Sequence, residues 1–282
     1  MQHHDPIELS LVIPTFNERD SIQPLVDALH VALAGLAWEA VFVDDSTDDT
    51  PAVISQLAGR DPRLVLVHRP ENRGGLSGAV VDGFAHARGA YLCVLDADLQ
   101  HPPDRIPALL LEAQRSDADV VIASRYVPGG SAGGLAGPVR QLGSRGLKLL
   151  SKLLFPRRLA GITDPLGGYF LLRRAVLDGV ELRPTGYKVL LEILIRCPWR
   201  SVREVPYQFE PRRHGDSKAD LRQMLHFLRH LRTLAWDCSP GLSLHRGVPA
   251  MLTMHALPLH TRDGNGSLRT PGVIVSSKPA GP

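Results

Sequence analysis

Cysteine is scarce in this 282-residue sequence: Cys93, Cys197 and Cys238 stand far apart and form no CxxC pair. That disfavours a disulfide framework and a thiolate zinc site, and it fits a reducing compartment. No HExxH is present, and the adjacent His3 and His4 fall in a terminal stretch read as disordered, so nothing points to a catalytic zinc. There is no GxxxxGK[ST], hence no P-loop, and no GxGxxG after the first apolar run, which disfavours a dinucleotide site. Residues Gly129 to Gly133 spell G-x-S-x-G, but inside a glycine-rich loop rather than at a strand-to-helix turn, so they are no nucleophile elbow. No run approaches 18 apolar residues, and "MQHHDPIELS" at the start lacks the apolar core of a signal peptide. The expected location is therefore cytoplasmic. A net charge of +3 is too small to imply a global polyanion-binding role, so no nucleic-acid partner is expected.

Acids are also missing locally. From Val120 to Thr163 every charged residue is Arg or Lys, which points to an anionic partner at one face. Elsewhere, continuous Val/Ile/Leu runs alternate with helix-like stretches: "LSLVIPTF", "EAVFVDDS", "LVLVHRP", "AYLCVLDAD" and "ADVVIASRY" read as strands. Ser21 is the expected N-cap of the first helix. Such runs mark a parallel sheet covered on both faces, so repeated βα units predict a doubly wound α/β fold. "DPLGGYFLLRR" reads as a short glycine turn leading to a helix at "YKVLLEILIRC". "VREVPYQFEP" reads as an edge strand, because Pro206 cannot donate to a ladder. A final amphipathic helix, "ADLRQMLHFLRHLRTLAW", carries Leu221, Met224, Leu225, Leu228, Leu231 and Leu234 along one face.

Ligands of such folds bind at the carboxyl ends of the strands, and the polar residues collect there. "PTFNE" follows the first run, Asp44 and Asp45 the second, Asp96 and Asp98 the fourth, and Ser124 and Arg125 the fifth. Two carboxylates one residue apart at a strand end can converge on one hard cation, with Gln100 adding a neutral oxygen; two solvated acids in a turn are the alternative. Glu18, Asp44 and Asp45 can accept hydrogen bonds from a base N–H and ribose hydroxyls, while Asn17, Glu18 and Asp20 would equally suit a helix N-terminus. Arg212, Arg213 and Lys218 in "RRHGDSK" offer counter-charges for a departing diphosphate, or a solvated basic loop.

In their order, "VIPTFNE", "VDDSTDDT", "ENRGGLSGA", "LDADLQHPP", "ASRYVPGG", "GYFLLRR" and "RRHGDSKADLRQ" resemble the family 2 glycosyltransferases with the GT-A fold. Within them the sequence is similar to the dolichol-phosphate and polyprenol-phosphate mannosyltransferases, from about Leu9 to Trp236. The resemblance implies a Rossmann-like, mostly parallel sheet with helices on both faces and a C-terminal amphipathic helix. It implies that Pro14, Phe16, Glu18, Asp44 and Asp45 hold the nucleoside, with Asp96, Ala97 and Asp98 at the nucleotide-sugar. Asp96, Asp98 and Gln100 would surround Mg²⁺ or Mn²⁺, and Arg212 and Lys218 would close over the diphosphate. Arg125, Arg140 and Ser144 would meet the acceptor phosphate, with Lys188 close by; these four and Asp98 are the implied catalytic set. "DDST" departs from the glycine common after the two acids, and "DPLGGYF" stands where "TSGF" is frequent.

The activity so implied is metal-dependent, inverting transfer of mannose from GDP-mannose to dolichyl or polyprenyl phosphate. The alternatives are a UDP-glucose-dependent polyprenyl-phosphate glucosyltransferase or another family 2 transferase, such as one acting on a hydroxyl, and, from another class, a silent sugar-nucleotide-binding or membrane-scaffold protein. The basic stretch 125–158 suits a phosphate acceptor, and no QxxRW of processive synthases is present. Leu147, Leu149, Leu150, Leu153, Leu154 and Phe155, interleaved with Arg and Lys, suit a helix lying on anionic lipid, so peripheral association with the cytoplasmic membrane face is expected. The expected division is a flexible 1–8, a catalytic domain 9–236 and a disordered 237–282.

Overall fold

The computed structural model describes residues 6–133, 138–183, 187–210 and 221–237, with backbone alone for 138–142, 144 and 221–225. Its centre is a seven-stranded sheet in the order β3-β2-β1-β4-β6-β5-β7. The strands are β1 (Leu9–Thr15), β2 (Trp38–Asp44), β3 (Leu64–His68), β4 (Tyr91–Val94), β5 (Val120–Ser124), β6 (Phe170–Arg173) and β7 (Val202–Pro206). All run parallel except β6, which pairs antiparallel with β4 and β5.

Strand residues alternate between two apolar cores, which is why the runs are continuous rather than alternating in polarity. In β1, Leu9, Leu11 and Ile13 face one core and Val12 the other. The first core is covered by α1 (Arg19–Ala32), α2 (Thr50–Ala58) and α4 (Ile106–Arg115), through Ile22, Leu25, Leu29, Ile54, Ile106 and Leu109. The second is covered by α3 (Gly75–His86), α5 (Pro138–Leu154), α6 (Val189–Arg196) and α7 (Leu221–Asp237). On α3, a Cβ added at Gly83 would stand 2.3 Å from a Val12 methyl, so only glycine lets that helix lie this close to the sheet.

Four expectations need correction. The fourth strand stops at Val94, leaving Asp96 and Asp98 in the turn beyond it. The stretch taken for a glycine turn contains β6, whose Phe170, Leu171 and Leu172 have no exposed surface. Because β6 is antiparallel, it enters the sheet at the carboxyl edges of its neighbours, and the preceding turn, Asp164 to Gly168, is thereby delivered to the ligand-binding rim. Ser21 is not a cap: α1 starts at Arg19, Glu18 stands at the N-cap, and no side chain caps the helix there. On α7, Phe227, His230, Leu231 and Leu234 are the buried residues among the described side chains and Leu228 points outward at 40% exposure, while the side chains of Leu221, Met224 and Leu225 lie outside those described. That helix also runs one residue beyond Trp236, and Asp237 accepts from Arg196 and Arg183.

Candidate active site

At the β1 end, Pro14 pairs with Val43 inside the ladder, and Phe16 emerges at 38% exposure. Asn17 takes a left-handed conformation (φ 56°), and its N–H donates to Ser46 Oγ at 2.8 Å. Glu18 N–H donates to Thr50 Oγ1 at 3.1 Å. These bonds lock the β1–α1 loop to the β2–α2 loop, and between them opens a cleft of about 440 Å³ lined by Asn17, Glu18, Ser21, Asp48 and Asp49.

The two acids at the end of β2, Asp44 and Asp45, are spent internally. Asp44 has no exposed surface; its carboxylate accepts from Thr15 Oγ1 (2.8 Å), Ser46 Oγ (2.6 Å) and the His68 Nδ1 side (2.9 Å). Asp45 receives the fork of Arg69, Nε at 2.7 Å and Nη2 at 2.5 Å, while Arg69 Nη1 reaches Asp82 at 2.8 Å. Burial disfavours the Arg69 charge, but its hydrogen bonds to Asp45 and Asp82 outweigh that and raise its pKa. Asp44 thus braces Ser46 and His68 at the β2 end instead of offering an oxygen directly.

Beyond β4, Asp96 is about a third exposed, whereas Ala97 and Asp98 are buried. Asp98 Oδ1 accepts the Gln100 N–H at 3.0 Å across a turn in which Leu99 has φ 62°. His101 Nδ1 accepts the Asp96 N–H at 3.0 Å. The ring stacks on Tyr169, centroids 5.1 Å apart, and also meets Tyr207 and Phe209. Burial lowers the His101 pKa, and the neutral ring is the form that can accept from Asp96 N–H. Gln100 Nε2 donates to Glu210 O at 2.8 Å, and Glu210 N–H returns to Gln100 O at 3.2 Å, so the expected metal-facing amide also ties the acidic turn to the chain after β7. Among the described residues no group of three or more His, Cys, Asp or Glu side chains is disposed around one ion. Two carboxylates on one turn, with the neighbouring imidazole turned to the backbone, fit a hard divalent cation that takes its other ligands from water and phosphate.

At the β5 end, Arg125 is clamped by Asp164: Nε to Oδ2 at 2.7 Å, Nη2 to Oδ1 at 2.8 Å. Both side chains are buried, and although burial opposes the Arg125 charge, Asp164 raises its pKa overall. Asp164 is held in turn. Glu204 on β7 accepts the Asp164 N–H (3.0 Å), the Thr163 N–H (2.8 Å) and the Thr163 hydroxyl (2.8 Å), and Thr163 also meets Ser124 Oγ at 2.7 Å. Lys188, just before α6, donates to Leu166 O at 2.9 Å. Burial, then the Arg125 charge, lower its pKa to about 8 against the pull of Asp164 and Asp96.

The rim therefore brings Phe16, Glu18, Asp96, Asp98, Gln100, Arg125 and Lys188 to one edge of the sheet. For Arg140 and Ser144 the structure gives only backbone positions on α5, and Arg212 and Lys218 lie outside the described residues. His68, Arg69, His101, Asp164 and Glu204 were missed in the sequence. Two of them left a trace: His101 directly follows the acidic turn, and Asp164 is the acid that ends the acid-free stretch after Val120.

Comparison with known proteins bears on this arrangement. The family model described as Glycosyl transferase family 2 matches residues 10–180. The chain is 41% identical over 233 residues to a dolichol-phosphate mannosyltransferase of Pyrococcus furiosus, covering 82% of this chain and 65% of that protein's length. It is 30% identical over 240 residues to the Saccharomyces cerevisiae dolichol-phosphate mannosyltransferase, covering 81% and 87%. With a polyprenol monophosphomannose synthase of Mycolicibacterium smegmatis it shares 33% identity over 252 residues, covering 84% and 90%. Among solved structures, glucosyl-3-phosphoglycerate synthase of Mycobacterium tuberculosis, in complex with Mn²⁺, UDP-glucose and phosphoglyceric acid, superposes with a TM-score of 0.60 at 22% identity, covering 82% of this chain and 79% of that one. That likeness shows a shared fold.

Proposed function

The chain belongs to glycosyltransferase family 2, and from that premise we propose that it transfers mannose from GDP-mannose to dolichyl or polyprenyl phosphate with inversion. The observation that carries the reading is the pairing, at one sheet edge, of the acidic Asp96–Asp98 turn with a corner where the Lys188 ammonium stands beside the Arg125–Asp164 ion pair. An acid turn suits a nucleoside diphosphate held through a cation, and a cationic corner suits an anionic acceptor.

The roles follow from the chemistry. Phe16 and Glu18 border the nucleoside, with Asp44 and Asp45 bracing the β2 end. Asp96 and Asp98, with Gln100 beside them, would hold Mg²⁺ or Mn²⁺, which would supply positive charge against the departing diphosphate. Arg212 and Lys218 belong to the same diphosphate, and Arg140 and Ser144 to the acceptor phosphate. An acceptor phosphate oxygen forms the new bond to the anomeric carbon as the bond to the diphosphate breaks, and the bonding electrons leave with GDP. A phosphate monoester is largely ionised at pH 7, its second pKa being about 6. It needs no general base, which agrees with Asp164 being committed to Arg125.

The experiment is transfer of labelled sugar from GDP-mannose and from UDP-glucose to a short polyprenyl phosphate, with Mg²⁺, Mn²⁺ or EDTA. Mannolipid formed with metal and lost with EDTA is expected. Glucolipid instead would move the donor while keeping the site. No lipid product with either donor, from folded protein that binds nucleotide, would reject the acceptor.

A membrane surface is part of the same reading. No helix among the described residues is long and apolar enough to cross a membrane. The described leucines of α5 divide: Leu147 and Leu150 pack on the core, as does the buried Phe155 just beyond the helix. Leu149, Leu153 and Leu154 remain 60%, 70% and 44% exposed, beside the exposed Arg145 and Arg157. Burying a leucine is worth about 1.5–3 kcal/mol. Leu149→Glu with Leu153→Glu is therefore expected to abolish flotation with anionic liposomes at low salt. Unchanged flotation of the double variant would place the lipid contact elsewhere.

A further inference from the structure

Arg125 is an incomplete account of how this corner holds an anion. Its guanidinium and the Asp164 carboxylate form a buried, two-bonded pair, so the two charges cancel. A phosphate monoester arriving with a charge approaching −2 needs positive charge that is not already matched. Among the described residues, that charge comes from Lys188 and from a lysine with no assigned role, Lys148 on α5.

Lys148 is one helical turn beyond Ser144 and two beyond Arg140, so the three positions fall along one side of α5. Its ammonium sits 3.6 Å from the centroid of the Tyr126 ring, and the Arg125 guanidinium carbon lies 5.4 Å from that same ring. Tyr126 directly follows Arg125 at the end of β5, so its ring brings a helix cation beside the strand-end cation. Lys148 is partly buried, and burial lowers its pKa. Asp164 pulls the other way, while Lys152, Arg125 and Arg145 push in the same direction as burial. Its nearest electrostatic support is thus a carboxylate already engaged elsewhere, and what holds its charge directly is an aromatic face. A cation–π contact is weaker than a charge-assisted hydrogen bond to phosphate. An incoming phosphate can therefore recruit this ammonium at small cost.

We propose that Lys148, held beside Arg125 by the Tyr126 ring, contacts the acceptor's phosphate and helps the site select phosphate monoesters over neutral hydroxyl acceptors. The inference rests on the acceptor reading above. With Lys188 it supplies two unmatched positive charges, which suits a dianion. The polyprenyl chain has no part in this contact, so a small phosphate monoester should feel the same cation.

The test uses the full chain and its Lys148→Met, Lys148→Gln, Lys148→Arg and Tyr126→Leu variants, each checked for folding by thermal melting. KM is measured separately for a short polyprenyl phosphate and for the nucleotide-sugar, and glycerol 3-phosphate is used as a competing ligand. A charged hydrogen bond of ordinary strength corresponds to a change of about ten- to hundredfold. Lys148→Met and Lys148→Gln are therefore expected to raise the acceptor KM at least tenfold, to leave the donor KM unchanged, and to weaken glycerol 3-phosphate equally. Lys148→Arg should restore most of the affinity, and Tyr126→Leu should show an intermediate loss. An unchanged acceptor KM in folded Lys148→Met and Lys148→Gln overturns the inference and leaves the proposed reaction standing. A loss confined to the polyprenyl substrate also overturns it, by placing Lys148 on the lipid chain. If the wild type neither uses nor binds any phosphate monoester, the acceptor reading fails and takes the inference with it.

Discussion

Asp98→Asn is expected to cut sugar transfer by about a thousandfold or more, because removing charge stabilisation at a departing group costs several kcal/mol and each 1.36 kcal/mol is tenfold in rate. The substitution is chosen for what it preserves. Asp98 is 1% exposed, and its Oδ1 caps the Gln100 N–H at 3.0 Å. Asparagine keeps that acceptor and the side-chain shape, so the turn with its left-handed Leu99 should persist. What disappears is one of the two negative charges proposed to face the cation. Binding of Mn²⁺, followed by electron paramagnetic resonance without any turnover, should weaken in parallel. Transfer within tenfold of wild type, or undiminished Mn²⁺ binding, would remove Asp98 from the metal set and return the acidic turn to a purely structural role.

Asp164→Ala is the second large effect, and it acts through Arg125. Removing one partner of a buried ion pair leaves the other charge uncompensated, at a cost of about 3–5 kcal/mol. For a chain of this size that is a fall in melting temperature on the order of 10 °C. Transfer should fall by about a hundredfold as the guanidinium loses both anchoring bonds, because a small misplacement of a charge-stabilising group is costly. The combination Arg125→Met with Asp164→Leu separates stability from chemistry. Apolar replacement of a buried pair is often neutral, so the melting temperature should return while transfer does not. Asp164→Ala protein with wild-type melting and wild-type acceptor KM would show that Asp164 does not aim Arg125.

These two residues also mark the boundary of what the sequence discloses. Asp98 is legible: an apolar run ends, two acids follow at a spacing of two, and a strand terminus is where a parallel sheet presents ligands. Asp164 is not, although it directly follows the acid-free stretch. Its partner Arg125 is 39 residues away and its anchor Glu204 is 40 residues away. Neither separation carries a period, since side-chain pairing across strands leaves no local pattern. Arg69 and Asp45, separated by 24 residues, are hidden for the same reason, as are Asp44 and His68. Strand β6 escaped because four residues are too few to show periodicity, and the glycines at 167 and 168 read as a turn.

The sequence by itself determined the class of fold, the parallel β1 to β5 framework, the position of β7 at an edge, and the sheet rim on which the candidate site lies. Those follow from local hydrophobic runs and from proline, whose effects act within a few residues. The tertiary structure alone decided which acids remain available. It withdrew Asp44 from the surface, matched Asp45 with Arg69 and Arg125 with Asp164, and divided the α5 leucines between core and solvent. The physical reason is that a buried charge must find an opposite charge or a hydrogen bond wherever the chain brings one. Only the folded chain sets those encounters.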